Sequence, residues 1–529
     1  MPSWLVSEKV RRLYLVFGDQ LDHQSPLFDE IDPDRDRLWM AEIAEEATHV
    51  WSHKLRLAFF FSAMRHFREY LTSGGYTVQY HELGKTPADD IGTNFSEVLR
   101  HDLARMEFEE LVAVEPGDHR VREALEIFAK EEKVKLRWLD DTHFYLPLDA
   151  FKDWAADRKS FLLEHFYRMM RKRSGILMTP KGKPEGGEWN FDKDNRRAFG
   201  KKGPPSLPVF GDYPADALTR EVVALINSRF PEHPGRLDAF SLPVTREAGL
   251  EEMDRFIEER LHGFGEYEDA LWSSEKLIYH SRLSALLNAK LLNPREVVDR
   301  VIKAYREGRA PLNSVEGYVR QILGWREFVR GIYHFFGPDY LRKNALGAKA
   351  DLPMFFWDGK TDMACVKDAM ENVLENGYAH HIQRLMVLGQ FSLLWGADPF
   401  KFHEWHMGMY LDAIDWASAP NTIGMSQFGD GGIVATKPYC ASGNYIKKMS
   451  NHCSECRYRP ELASGEQACP FTSLYYSFLD RHRERFDDNH RMTFQLKNLE
   501  RKSTEELAQI RAREADLRAR WGAQEESDA

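Results

Sequence analysis

Cysteine is scarce in this sequence, with five among 529 residues, and four of the five fall within 440–469. So few thiols cannot form a disulfide framework, which excludes a small secreted, disulfide-stapled fold. Long apolar runs are missing too. Stretches such as LAFFFSAM (57–64) fall far short of the roughly 20 residues a membrane span requires. With no secretory pattern at the N-terminus, the reading is a cytoplasmic protein with no membrane partner. No GxGxxG or GxxxxGK[ST] follows the first strand candidate, which weakens dinucleotide and P-loop readings. A basic excess is also absent: 72 Lys and Arg face 83 Asp and Glu, a formal net charge of -11. The surface is therefore not basic all over, although a local basic groove can coexist with an acidic exterior. No internal repeat or low-complexity block stands out.

What is present is bulk and aromatic mass. The chain is 43% hydrophobic, with 13 Trp and 33 Phe, enough to fill the cores of two or three domains. RLYLVF (12–17), RLWMAEI (37–43), TVQYHEL (77–83), ELVAVEPGD (110–118) and VKLRWLDD (134–141) read as strands. Helical patterns separate them at 46–71, 93–107 and 119–132, which predicts βαβ units on a parallel sheet. Ligands of such sheets sit beyond the carboxyl ends of the strands. Gly18, Asp19, Gln20, Glu42, Glu46, Glu115, Pro116 and Gly117 belong to that rim.

Residues 145–225 differ in kind, and the stretch KGKPEGGEWNFDKDNRRAFGKKGPPSLP within them cannot be one regular element. From 226 onward heptad-like spacing predicts helices, with a final charged surface helix over 498–525. The fold expected is an α/β domain with a Rossmann-like parallel sheet over 1–144, a long connection over 145–225 and a large all-α domain over 226–529. Arg171 and Arg173 in the connection, with Lys437, Lys447 and Lys448 further on, are candidate phosphate contacts.

Cys453 and Cys456 make a CxxC, and Cys469 follows in a Cys-Pro pair. A fourth ligand can come from Cys365, Cys440 or His452. The spacing is compatible with an iron-sulfur cluster, a zinc site or plain buried thiols.

Five further motifs occur in order: HSRLSALL (280–287), GWREFVRGIYHF (324–335), YAHHIQRLM (378–386), YLDAIDWASAPNTIGMSQF (410–428) and TKPYCASGNYIKKMS (436–450). Together with the cysteines they resemble the photolyase/cryptochrome family, and within it the prokaryotic (6-4) photolyases that carry an iron-sulfur cluster. The resemblance implies FAD in the helical domain, a 4Fe-4S cluster on Cys365, Cys453, Cys456 and Cys469, and a 6,7-dimethyl-8-ribityllumazine antenna at the N-terminal rim. It places Ser281, Leu283, Ser284, Gln321, Arg326, Arg384, Asp412 and Ser418 around FAD, with Ser418 standing where relatives commonly have a polar or acidic group facing flavin N5. Antenna positions are Gly18, Asp19, Gln20, Glu42 and Glu46, with Phe60 on the apolar side.

The same resemblance makes His380 and His381 catalytic candidates, because a (6-4) adduct needs a proton as an electron arrives and imidazole titrates near neutral pH. Tyr439 and Met425 would line the lesion pocket, and Trp405 and Trp357 would relay electrons. The implied activity is light-driven repair of UV-damaged DNA by a monomer. Its alternatives are a blue-light photoreceptor of the same fold, and a zinc-stabilised helical binding module without flavin.

Overall fold

The computed structural model describes residues 8–522. Five parallel strands, β1 (Glu8–Leu15), β2 (Arg37–Ala41), β3 (Val78–His81), β4 (Met106–Val114) and β5 (Lys135–Leu139), form one sheet in the order β3-β2-β1-β4-β5. Successive side chains of a strand point to opposite faces, so the central run 13–17 supplies two cores. Leu13, Leu15 and Phe17 pack with Trp39, Phe95 and Leu125, while Tyr14 and Val16 join Met40, Phe59 and Met64. Covering both faces are α1 (Ala44–Thr48), α2 (Lys54–Ser73), α3 (Phe95–Leu103) and α4 (His119–Glu132).

The helical pattern over 46–71 is broken at 49–53. His53 caps α2 by accepting from Leu55 N, and its own N–H donates to Gly408 O at 2.8 Å. A tertiary contact thus holds this loop against a distant helix, which periodicity alone cannot show. In the connection, α5 (Leu148–Ala155) and α6 (Leu163–Ser174) precede a stretch, 175–216, with nothing longer than a three-residue turn, and α7 (Ala217–Arg229) packs on α2.

The single helix expected over 498–525 is two, Thr493–Glu500 and Thr504–Trp521, because Ser503 and Glu506 form a capping box that starts the second afresh. It is not a free surface helix: Ile510 and Leu517 are buried, and Trp521 meets the Phe355 ring edge-on at 5.5 Å. Residues 523–525 lie outside the described residues.

Three seven-residue π-helical segments, Arg320–Arg326, Gln383–Gly389 and Pro420–Ser426, interrupt the helices of the C-terminal region. Each widens the helix locally and re-aims its side chains, and such segments gather at functional sites. The sheet is tied to this region at several points. Glu327 accepts from Tyr145 N and Leu146 N at 3.0 Å, Leu21 N donates to Ala289 O, and Trp416 N donates to Gly117 O. No helix among the described residues is long and apolar enough to cross a membrane.

Candidate functional site

All three π-helical segments line one cavity of about 330 Å³ in the helical region. Ser281, Ser284, Gln321, Arg326, Arg384, Asp412, Ser418 and Met425 face it, and so do His380 and His381. Leu283 lies behind the wall, fully buried at the start of the helix Ser284–Asn288.

The polar groups of this cavity are set by short, specific contacts. Arg384 reaches Asp412 Oδ1 at 3.0 Å, donates through Nε to Ala379 O at 2.6 Å, and lies over the Tyr410 ring at 4.0 Å. Ser284 Oγ donates to the other Asp412 oxygen at 2.5 Å. Burial alone would raise the Asp412 pKa, but the Arg384 guanidinium and the Ser284 hydroxyl outweigh it and hold the carboxylate ionised. Arg326 is different. Its guanidinium is wedged over Phe144 and Trp416, its only hydrogen bond runs to Leu287 O at 3.4 Å, and both Nε and Nη1 lack a partner. Burial lowers its pKa to about 10, and a buried cation with two idle donors is a site for an anion or a carbonyl.

The two adjacent histidines are not equivalent. His380 is 1% exposed, stacks on His280 at 4.7 Å, and has no partner at either ring nitrogen. His381 is exposed where it borders the cavity. The protein packed around its ring, then Arg384, lowers its pKa to about 4. Motif reading did not place three other polar groups in this wall. Glu268 accepts from Gln321 Nε2 at 3.0 Å, and burial raises its pKa to about 8 against the pull of Arg320. Arg282 lies over Phe210 and Tyr378 with no carboxylate partner, its Nε idle, and His406 has an unpartnered Nδ1. Arg282 sits inside HSRLSALL, so its motif carried a signal; Glu268 had none.

Tyr439 does not line the cavity; it lies half-buried, its hydroxyl raised by burial and subject to the charges of Arg196, Asp192 and Asp269. Trp405 and Trp357 also lie outside the wall. The cavity-lining Phe402 stacks on Trp405 at 5.6 Å.

A second cavity, about 120 Å³, opens at the carboxyl ends of β1 and β4, where the strand order reverses. Gly18, Asp19, Glu46 and Phe60 line it; Gln20 and Glu42 do not. Gln20 Nε2 donates to Val114 O at 3.1 Å, and Glu42 is held by Arg65 at 2.6 and 2.8 Å and by Tyr80 and Leu83 N. Idle buried nitrogens, Arg56 Nε and His49 Nδ1, belong to residues of this wall, a donor set suited to a polar heteroaromatic ring.

Cys365, Cys453, Cys456 and Cys469 meet around one enclosure of about 10 Å³, with Met363, Ile446 and Phe471. Cys440 is not among them. His452 is engaged with Asp368 at 3.1 Å. A Cβ added at Gly443 would stand 2.7 Å from Cys469 Sγ, so glycine is what leaves the sulfur room. Among the described residues no three His, Cys, Asp or Glu converge tightly enough to hold a single ion. Four cysteines around one enclosure are a donor set that either a zinc ion or an iron-sulfur cluster can use.

Of the basic candidates, Arg173 and Lys448 are exposed, Lys437 is half-buried, and Lys447 faces Glu461 at 3.5 Å. The expected phosphate contact at Arg171 is corrected. Its side chain is fully buried and donates to the carbonyls of Ile176, Leu177 and Trp189, tying the loop after α6 to itself.

Comparison with known proteins gives a consistent picture. The model of the family described as deoxyribodipyrimidine photo-lyase-related protein matches residues 14–242. A (6-4) photolyase of Agrobacterium fabrum is 42% identical over 507 residues, covering 95% of this chain and 98% of the relative. The structure of a bacterial class III photolyase from Agrobacterium tumefaciens superposes with a TM-score of 0.56 at 14% identity, over 98% of this chain and 99% of that one. Synechocystis sp. PCC6803 cryptochrome gives 0.52 at 12% identity, covering 90% of this chain and 93% of that one, so the fold is that of photolyases and cryptochromes.

Proposed function

Because the chain belongs to the (6-4) photolyase family, we propose that it is a light-driven DNA repair enzyme that reverts (6-4) pyrimidine photoproducts, with FAD in the 330 Å³ cavity. The observation that carries this reading is the wall of that cavity: an ionised Arg384–Asp412 pair beside a buried Arg326 with two idle donors. A carboxylate and a guanidinium together can accept from and donate to the pyrimidine edge of an isoalloxazine, while Arg326, Arg282 and the short hydroxyls of Ser281 and Ser284 suit phosphate and ribose oxygens. When bound and reduced, FAD supplies the light-driven electron for the lesion.

The protein's own part is to bind, to exclude water and to manage a proton. His381 opens on the cavity and is the residue we assign as proton donor to the adduct through a ring N–H. The protein packed around its ring and Arg384 lower its pKa, and anionic ligands such as cofactor phosphates or the DNA backbone would oppose that depression. His380 also borders the cavity but is buried in the stack with His280, and we assign it as a positioning residue. Met425 offers apolar surface to a flipped base.

The 4Fe-4S cluster would be held by Cys365, Cys453, Cys456 and Cys469. A lumazine antenna would occupy the cavity around Gly18, Asp19, Glu46 and Phe60, where Arg56 and His49 offer donors. The absorption spectrum of the purified protein tests the cofactor assignment. Flavin bands over a broad iron-sulfur shoulder are expected, and a protein without flavin absorbance would remove the basis of this function.

A further inference from the structure

The proposed electron relay ends, on the motif reading, at Trp357, which is only partly exposed. A third tryptophan continues the line outward. Trp51, in the loop between α1 and α2, is 47% exposed, and its ring lies 5.3 Å from that of Trp357 at 45°. Inward, Trp405 is 1% exposed and donates through Nε1 to the carbonyl of Phe356 at 2.8 Å, the residue peptide-bonded to Trp357. Phe402 completes the path to the cavity.

The position of Trp51 is fixed. Its carbonyl oxygen would stand 2.8 Å from a Cβ at Gly408, so the loop seats in a notch that only glycine leaves on the helix Pro399–Met409, the helix that carries Trp405. His53 fastens the same loop through Gly408 O and Leu374 O. An exposed indole would otherwise gain from folding down onto apolar surface; here it stands against a second indole, between the relay and water.

We propose that Trp51 is the terminal electron donor of this relay, the site at which an oxidising equivalent leaves the protein. The inference rests on the reading that flavin fills the cavity and that Trp405 and Trp357 carry electrons to it. Trp405 gives one electron to the light-excited oxidised flavin, Trp357 refills Trp405, and Trp51 refills Trp357. One electron has then reached the flavin, and Trp51 has lost one. A cation is costlier in the core than in water, so the charge is driven outward along the rising exposure of the three rings. At the surface the Trp51 indole cation releases its Nε1 proton to water. A dissolved thiol returns one electron and one proton, and two such thiols end as a disulfide.

The test is blue-light reduction of the oxidised protein in the presence of a small thiol, read from flavin absorbance per bound flavin, with transient absorption to follow tryptophan radicals. Trp51→Phe keeps ring stacking but not an oxidisable indole. It is expected to lose thiol-supported reduction to the level of Trp357→Phe, with the radical recombining early. Trp51→Tyr, whose phenol can be oxidised, should recover part of it. When first reduced chemically with dithionite, Trp51→Phe should repair lesion DNA at the wild-type rate, which separates the relay from any structural damage. If Trp51→Phe is photoreduced like wild type while Trp405→Phe is not, the relay stands and Trp51 is not its terminus. If Trp405→Phe is photoreduced normally, the relay reading fails and the proposal with it.

Discussion

At the scale of single residues, the account turns on the histidine pair. Sequence alone leaves His380 and His381 interchangeable, since neighbours on a helix simply point about 100° apart. The structure separates them: both border the cavity, but His381 is exposed there while His380 is buried against His280. His381→Asn should therefore keep FAD and lesion binding while repair falls roughly 100- to 10,000-fold, the usual loss when a general acid is removed. Single-turnover kinetics on flavin-loaded protein checks this, and wild-type repair by His381→Asn would move the proton donor elsewhere. His53 supports a pH prediction. Burial lowers its pKa to about 4, below the ordinary value of 6.5, so the unfolded chain binds the extra proton between those values. Stability on this account falls as pH drops from 6.5 toward 4 and is flat above, by up to about 1.4 kcal/mol per pH unit. His53→Asn, which can still cap α2, should flatten that part of the pH dependence of chemical denaturation.

At the scale of elements, much of the fold was legible and the reasons can be named. β1 was readable because residues 12–17 are almost wholly apolar, as a strand buried on both faces must be. Three members of the cysteine quartet were readable because they are close in sequence, whereas Cys365 was singled out only by the family resemblance. The break at 49–53 and the two-part C-terminal helix were not, because one depends on a distant glycine and the other on a capping box inside a charged run. Arg171 misled for a similar reason: a basic run does not show which of its members turns inward to bind carbonyls. Glu268 and Trp51 carry no local pattern at all, since the fold alone brings them to the cavity and to Trp357. The segment around Gly443 carries a prediction of its own. Gly443→Ala brings a methyl to 2.7 Å from Cys469 Sγ and should lower bound iron and thermal stability together, because binding energy of such a site is partly folding energy. Cys365→Ala should do the same, and Cys440→Ala, outside the quartet, should keep its iron by elemental analysis; the reverse pattern would contradict the assigned ligands.

At the scale of the whole molecule, a net charge of -11 and a DNA substrate are compatible only if binding is local. Exposed Arg173 and Lys448, with Lys437 and Lys447, are the positions we assign to that local surface. Affinity for lesion DNA should fall with salt, and Lys448→Gln should lower the log-log slope by about 0.9, one phosphate's worth of released counterions. An unchanged slope would take Lys448 out of the interface. The central claim is that this arrangement of cavity, histidine and cofactor reverses a covalent DNA lesion under light. It is tested most directly by incubating the flavin-reduced protein with an oligonucleotide bearing a single (6-4) photoproduct, in blue light and in darkness, and separating products by chromatography. The account predicts recovery of the undamaged dinucleotide in light only, over many turnovers. Lesion DNA that is bound but unchanged after illumination would contradict it and leave a flavin photoreceptor in its place.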